Sequence, residues 1–325
     1  LDILLEIFMT SFWWRKGLLL VVASLAAVLA GCGSGTVYNA FKPTRFVAFG
    51  DGFSDLGQTG ATYSVNDGSA SIWSQRIAAG YGYNLTAQSA GGLGYAQGNA
   101  RVTQTPDAAG VSSTLTVQQQ IDSFLASNTF NAGDMVIING GISDMVVQGQ
   151  ALLAGTITPA QYLANAAQAG VDLATQVRRL VNAGATHVVV SGVYDMSKTP
   201  WGTNSGQATA MSNASIQFNT SLLTSIVDLG GYVQYLDAAY FVNLMANQPG
   251  TYSMVNSIAP ACISVDPGAG IGIGLNQINS YLCTPSTIAS GVTYNQYLWA
   301  DNVYMTPQAH VFFANYSIAK LTLRW

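Results

Sequence analysis

The sequence predicts an α/β domain, a three-layer doubly wound sheet of about five parallel strands with helices on both faces. Three observations predict it. Five short apolar runs, Arg45–Phe49, 84–87, 134–138, 187–191 and 232–236, have strand length and strand composition. Stretches of helical spacing fall between them, and strands alternating with helices require crossover connections, hence a parallel sheet covered on both sides. The composition is that of a folded chain: 49% of the 325 residues are hydrophobic and 8% are charged, the reverse of charge-driven disorder.

Taken in order, Arg45–Phe49 breaks into Gly50-Asp51-Gly52, and 71–79 follows as a helix with Trp73 and Ile77 on one face. After the 84–87 strand come a helix at 117–126, a strand at 134–138 and a long helix over Pro159–Asn182. A strand at 187–191, a helix at 205–227 and a strand at 232–236 continue the alternation. The last helix begins at Thr306-Pro307, with threonine suited to the N-cap and proline to the first helical position. No internal repeat is visible. Functional groups in such sheets collect at the carboxyl ends of the strands, which here means 51–55, 89–101, 139–144 and 195–200.

The charge balance narrows the function classes. Eleven Lys and Arg stand against fifteen Asp and Glu, so no basic field is available for nucleic acid. Two histidines and three cysteines are too few for a zinc or iron–sulfur site, and no metal or cofactor is expected. Near the N-terminus Arg15-Lys16 precedes an apolar run from Gly17 to Ala30, the layout of a signal peptide. The run ends in Leu29-Ala30-Gly31-Cys32, which resembles a bacterial lipobox. The reading is a signal peptide over 1–31 whose true start is Met9, a lipidated Cys32 with a tether over 32–44, and one domain over 45–325. It puts the protein in the bacterial envelope, with the membrane as partner through Cys32; Gly33 in place of aspartate favours the outer membrane. In that oxidising compartment Cys262 and Cys283 are expected to pair, two separate buried thiols being the alternative. The run 268–274 alternates Gly with Ala and Ile; without a following Lys-Ser/Thr it reads as flexible loop.

Phe46-Val47-Ala48-Phe49-Gly50-Asp51-Gly52-Phe53-Ser54-Asp55 resembles the first block of the GDSL lipases and acylhydrolases, the SGNH hydrolase superfamily. Gly94-Tyr95-Ala96-Gln97-Gly98-Asn99-Ala100-Arg101 is similar to the second block, Gly141-Ile142-Ser143-Asp144 to the third, and Asp301 through Thr306 to the last. The resemblance implies a flavodoxin-like sheet and ester hydrolysis by a Ser-His-Asp triad. It departs at the chemistry. The family's nucleophilic serine falls on Gly52, its histidine on Tyr304 and its oxyanion-hole asparagine on Ser143. Asp301 of the triad and Gly98 of the oxyanion hole keep the expected type. Asp51, Asp55 and Asp144 read as supports of their turns.

Two residues could stand in for the missing groups. Ser54 is a fallback nucleophile or a cap of the following turn, and His310 a fallback base or a packing residue behind the Asp301 loop. Trp73, Tyr95, Tyr194, Trp201 and Trp299 could line an acyl or sugar pocket, or fill the core. Three functions follow: an impaired or inactive family member that binds an acyl-ester or acetylated-glycan ligand, an active carboxylester hydrolase using Ser54 or His310, or a structural envelope scaffold.

Overall fold

The computed structural model describes residues 40–325. The leader, Cys32 and most of the tether lie outside the described residues. Strands β1 (Arg45–Phe49), β2 (Asp134–Asn139), β3 (Val188–Ser191) and β4 (Val233–Leu236) form a parallel sheet in that order. Valine and isoleucine dominate β2 and β3, whose residues are buried throughout, as strands covered on both faces require.

The fifth strand is not where the sequence put it. Segment 84–87 touches the sheet region only through an isolated bridge from Ala87 to Gly94. The outer edge of β1 is taken instead by 93–97: Ala48 donates to Leu93, while Tyr95 donates to Ala48 and Gln97 to Gly50. Glycine makes this doubling back possible. A Cβ on Gly92 would lie 2.2 Å from Thr86 Oγ1, and one on Gly94 2.9 Å from the Thr86 carbonyl, so the two passes can touch only without side chains.

Helices α1 (Trp73–Gly80), α2 (Val117–Leu125), α3 (Ile142–Leu153), α4 (Pro159–Asn182), α5 (Pro200–Asn204), α6 (Ala208–Ser225), α7 (Ala238–Asn247) and α8 (Pro307–Arg324) surround the sheet. Helix α8 packs with α1 and α7, whereas α4 packs with α2, α3 and α6, so the helices form two groups. Capping boxes start α2 (Thr116 with Gln119) and α4 (Thr158 with Gln161), and Thr306 caps α8. Helices α3, α5 and α7 add to those expected from the sequence.

Between α7 and α8 lies a section with little regular structure. Strand β5 (Asn256–Pro260) pairs with β8 (Tyr297–Trp299), and β6 (Val265–Asp266) with β7 (Gln277–Ile278). The Cys262–Cys283 disulfide crosses it and packs against Val65 and Ala300. Nearby, Asn66 donates to the carbonyls of Ser280 and Cys283, and Tyr294 to Asp67, which docks the section on the loop after β1. The glycine-rich 268–274 segment is packed down rather than loose. Ile271 and Ile273 are buried, Asn99 donates to the Gly270 carbonyl, and a Cβ on Gly272 would lie 2.4 Å from the Ala108 carbonyl.

Candidate active site

The site grows from the turn that follows β1. Gly50 is bracketed by Gln120, which accepts from its amide at 2.9 Å and donates to its carbonyl at 2.9 Å. Asp51 is fully buried. Its carboxylate accepts from the Phe53 amide (3.0 Å), from Asn139 Nδ2 at the end of β2 (2.7 Å) and from the Ile142 amide at the start of α3 (3.1 Å). Burial pushes its carboxyl up to about 6, against the pull of these donors. One buried carboxylate thus joins two strand ends and a helix start.

Gly52 faces Tyr304. A Cβ at position 52 would lie 2.7 Å from the tyrosine hydroxyl and 2.8 Å from Cζ, closer than real Cβ contacts allow. The ring occupies the space of a side chain at 52. Tyr304 is 1% exposed, and its ring packs on Tyr63 at a centroid distance of 5.2 Å. Burial raises its hydroxyl well above the ordinary tyrosine range, so it is no base at neutral pH. Asp301 is committed to backbone amides: it accepts from Val303 (2.7 Å) and Tyr304 (2.6 Å) of its own loop and from Ser280 (2.8 Å) in the disulfide-crossed section. Position 304 therefore presents Asp301 with a backbone amide where the family's arrangement calls for an imidazole.

Of the two positions that the resemblance assigns to an oxyanion hole, Gly98 is engaged and Ser143 is not. The Gly98 amide donates to Asp55 Oδ2 at 2.8 Å, and Asp55 Oδ1 accepts from Gly57 and Gln58, which fixes the turn after the first block. Burial holds the Asp55 carboxyl up at about 6. Tyr63 lies over Gly98 so closely that a Cβ there would fall 1.9 Å from its ring. Ser143, in the first turn of α3, is 1% exposed, and its hydroxyl has no partner among the described residues. Asp144 beside it ties α3 to the second block, accepting from Arg101 Nε and the Val102 amide, both at 2.9 Å.

Ser54 and His310 do not form a replacement dyad with Asp301. Ser54 Oγ accepts the indole N–H of Trp73 at 2.9 Å, so it neither caps the turn nor faces a base. His310 Nδ1 accepts the Trp73 backbone amide, its ring stacks on Phe53 at 5.1 Å, and Nε2 has no partner among the described residues. Both side chains are fully buried, and burial drives the histidine down to about 3. Trp73, Tyr194 and Trp299 are fully buried and Tyr95 nearly so; Trp201 is 9% exposed and borders a cleft.

Sequence reasoning missed Tyr63 and Gln120, which shape this site, and named the strand end at 139–144 without the role of Asn139 in holding Asp51. Only Gln120 left a signal. Val117, Gln120, Ile121 and Phe124 make one buried stripe of α2, and a glutamine on an apolar stripe marks a buried polar group in need of partners. Among the described residues no group of histidine, cysteine or acidic side chains could hold a metal, and no helix is long and apolar enough to cross a membrane.

The family model for GDSL-like Lipase/Acylhydrolase matches residues 46–316. No curated protein matches the chain. One solved crystal structure aligns with 86% of this chain and 97% of its own, at 14% identity and a TM-score of 0.41.

Two measurements test this geometry. Gly52→Ser alone must displace a packed ring, and overpacking of this kind costs about 1–3 kcal/mol. Combined with Tyr304→Ala it should cost less than the sum of the single changes; strict additivity in urea unfolding would refute the contact. His310 sets a pH dependence. The unfolded ring takes a proton near pH 6.5 and the folded one near 3, so its contribution is full above 6.5 and is lost as pH falls toward 3. Asp51 and Asp55, held up at about 6, oppose it between their ordinary value of 3.8 and 6. A comparison of the native protein with His310→Gln isolates the histidine: the variant's stability deficit should shrink between pH 7 and pH 4.5. An unchanged deficit would mean that the ring is not held neutral.

Proposed function

The chain belongs to the GDSL-like lipase/acylhydrolase family, and we propose that it is a member without the family's ester hydrolysis, acting instead as a binding protein. The observation that carries this reading is the packing of Tyr304 into the space beside Gly52. Hydrolysis by the family's route needs an oxygen nucleophile, a base and free donors for the developing oxyanion. Position 52 supplies no oxygen, and Tyr304 holds its proton far above neutral pH. The Gly98 amide is already bonded to Asp55. Loss of the serine or the histidine alone costs about a millionfold in a serine hydrolase, and one missing oxyanion donor about a hundred- to a thousandfold. Water entering the site would find Asp301 occupied by three amides.

The ligand class we propose is an acyl ester or an acetylated glycan, held outside the filled centre at the carboxyl ends of the strands. We propose further that the protein is exported and lipidated on Cys32 in the bacterial envelope, on the outer membrane. The run from Arg15 to Cys32 supports this.

Purified full-length protein should hydrolyse p-nitrophenyl acetate and butyrate no faster than buffer, whereas Gly52→Ser, Ser143→Asn, Tyr304→His in combination should gain measurable turnover. Native turnover that disappears in Ser54→Ala or His310→Ala would overturn the proposal. For the anchor, labelled palmitate should enter the native protein in bacterial cells and be absent from Cys32→Ser. Persistent labelling of the variant would remove Cys32 as the acylated residue.

A further inference from the structure

A cleft of about 390 Å³ lies beside the filled centre, bounded by Gln150 and Leu153 on α3, Trp201 and Asn204 on α5, Gln277 on β7, and Asn302 next to Asp301. Its volume falls within the range of small-ligand sites. Three parts of the chain meet here: a helix following the central strand β2, the short helix after β3, and the disulfide-crossed section. The cleft is built firmly. A Cβ on Gly149 would lie 2.5 Å from the Trp201 ring, so glycine at that helical position lets α3 close onto the indole. The Trp201 amide donates to the Asn302 carbonyl at 3.0 Å, and Asn302 Nδ2 donates to Gln277 Oε1 at 3.3 Å.

The lining has a distinct chemistry. Every polar side chain in it is neutral, an amide, the Ser205 hydroxyl or the Trp201 indole N–H, and the exposed apolar part comes from Leu153, with Trp201, Pro200 and Ile273 largely buried. No charged side chain selects for an anion or a cation. The side-chain amides of Gln150 and Asn204 form no hydrogen bond among the described residues, whereas those of Gln277 and Asn302 are engaged. Two unused amides on two different helices offer donors and acceptors together, beside the exposed side chain of Leu153.

We infer that this cleft is a binding site for a neutral saccharide. Sugar hydroxyls both donate and accept, which amides match on both counts, and the C–H groups of a pyranose ring suit the exposed Leu153 side chain and the accessible rim of Trp201. An acyl chain would leave the amides without partners, and each buried polar group so stranded costs about 1–3 kcal/mol. A charged sugar would lose solvation with no countercharge to receive it. The site concerns binding alone, and it would serve a hydrolase as well as a binding protein. Its fate is therefore separate from that of the ester assay.

The test is binding of full-length protein to an array of neutral and acidic oligosaccharides, with octanoate as the acyl probe, followed by titration with the best ligand. A neutral oligosaccharide should bind, and Gln150→Ala with Asn204→Ala should weaken it by about tenfold or more, as loss of two hydrogen bonds implies. Both side chains are free of internal partners, so the variant should keep the native melting temperature. A second variant, Asn204→Asp, places a charge at the rim and should weaken the same ligand. The inference is overturned by silence across the neutral sugars, by preference for acidic sugars or octanoate, or by binding that survives both variants.

Discussion

The Asp51 carboxylate is the joint on which the functional end of this fold depends. It is fully buried, meets no cation in its hydrogen-bonding shell, and takes its three donors from the turn after β1, the end of β2 and the start of α3. Such a group is expensive to bury, and removing a partner would strand it. Its position therefore dictates theirs. With Gln120 clamping Gly50 from the other side, the turn has one available path, and that path aims Gly52 at Tyr304 and sends Phe53 into the core. Phe53 meets Trp73, Tyr194, His310 and Phe313 there, with ring centroids 5.1–5.7 Å apart. A carboxylate joint and an aromatic hub share one short turn.

Around that joint, the departures from the family's residue types fit one another. A glycine at 52 makes room for a tyrosine at 304, whose ring lies against Tyr63, whose ring in turn covers Gly98. Contact by contact, aromatic surface covers the two glycines. Polar groups here hold the structure: Asp55 takes the Gly98 amide, and Asp301 takes the amides of Ser280 and of the loop leading to α8. Ser143 is the exception, a buried hydroxyl without a partner among the described residues. The scaffold is kept and its centre is filled.

Much of this was legible in the sequence, for identifiable reasons. Strands β1 to β4 could be found because a strand buried on both faces writes itself as an uninterrupted apolar run. The blocks around Gly50, Gly98, Gly141 and Asp301 could be found because they resemble those of the GDSL family. Pairing of Cys262 with Cys283 followed from the export reading, which set Cys32 apart. Other features depended on contacts distant in the chain. The choice between 84–87 and 93–97 for the edge of β1 turns on the fit of Gly92 and Gly94 against Thr86. Ser54 looked available as a nucleophile or cap until Trp73, nineteen positions on, claimed its oxygen. His310 lies one turn into α8 as expected, but its side chain meets Trp73 and Phe53 instead of Asp301. Glycine alternation at 268–274 suggested looseness, yet the intervening Ile271 and Ile273 are buried.

The contact between Gly52 and Tyr304 also bears on how such a chain can change over generations. Serine arriving first at position 52 meets an occupied space and lowers the stability of the fold, with no base present to make it useful. Histidine arriving first at 304 opens the space but confers no nucleophile. Neither single step is rewarded with catalysis, and the first is penalised. On the proposed reading the pair would act as a ratchet, because a gain of hydrolysis needs both positions to change together while surfaces outside the centre can vary freely.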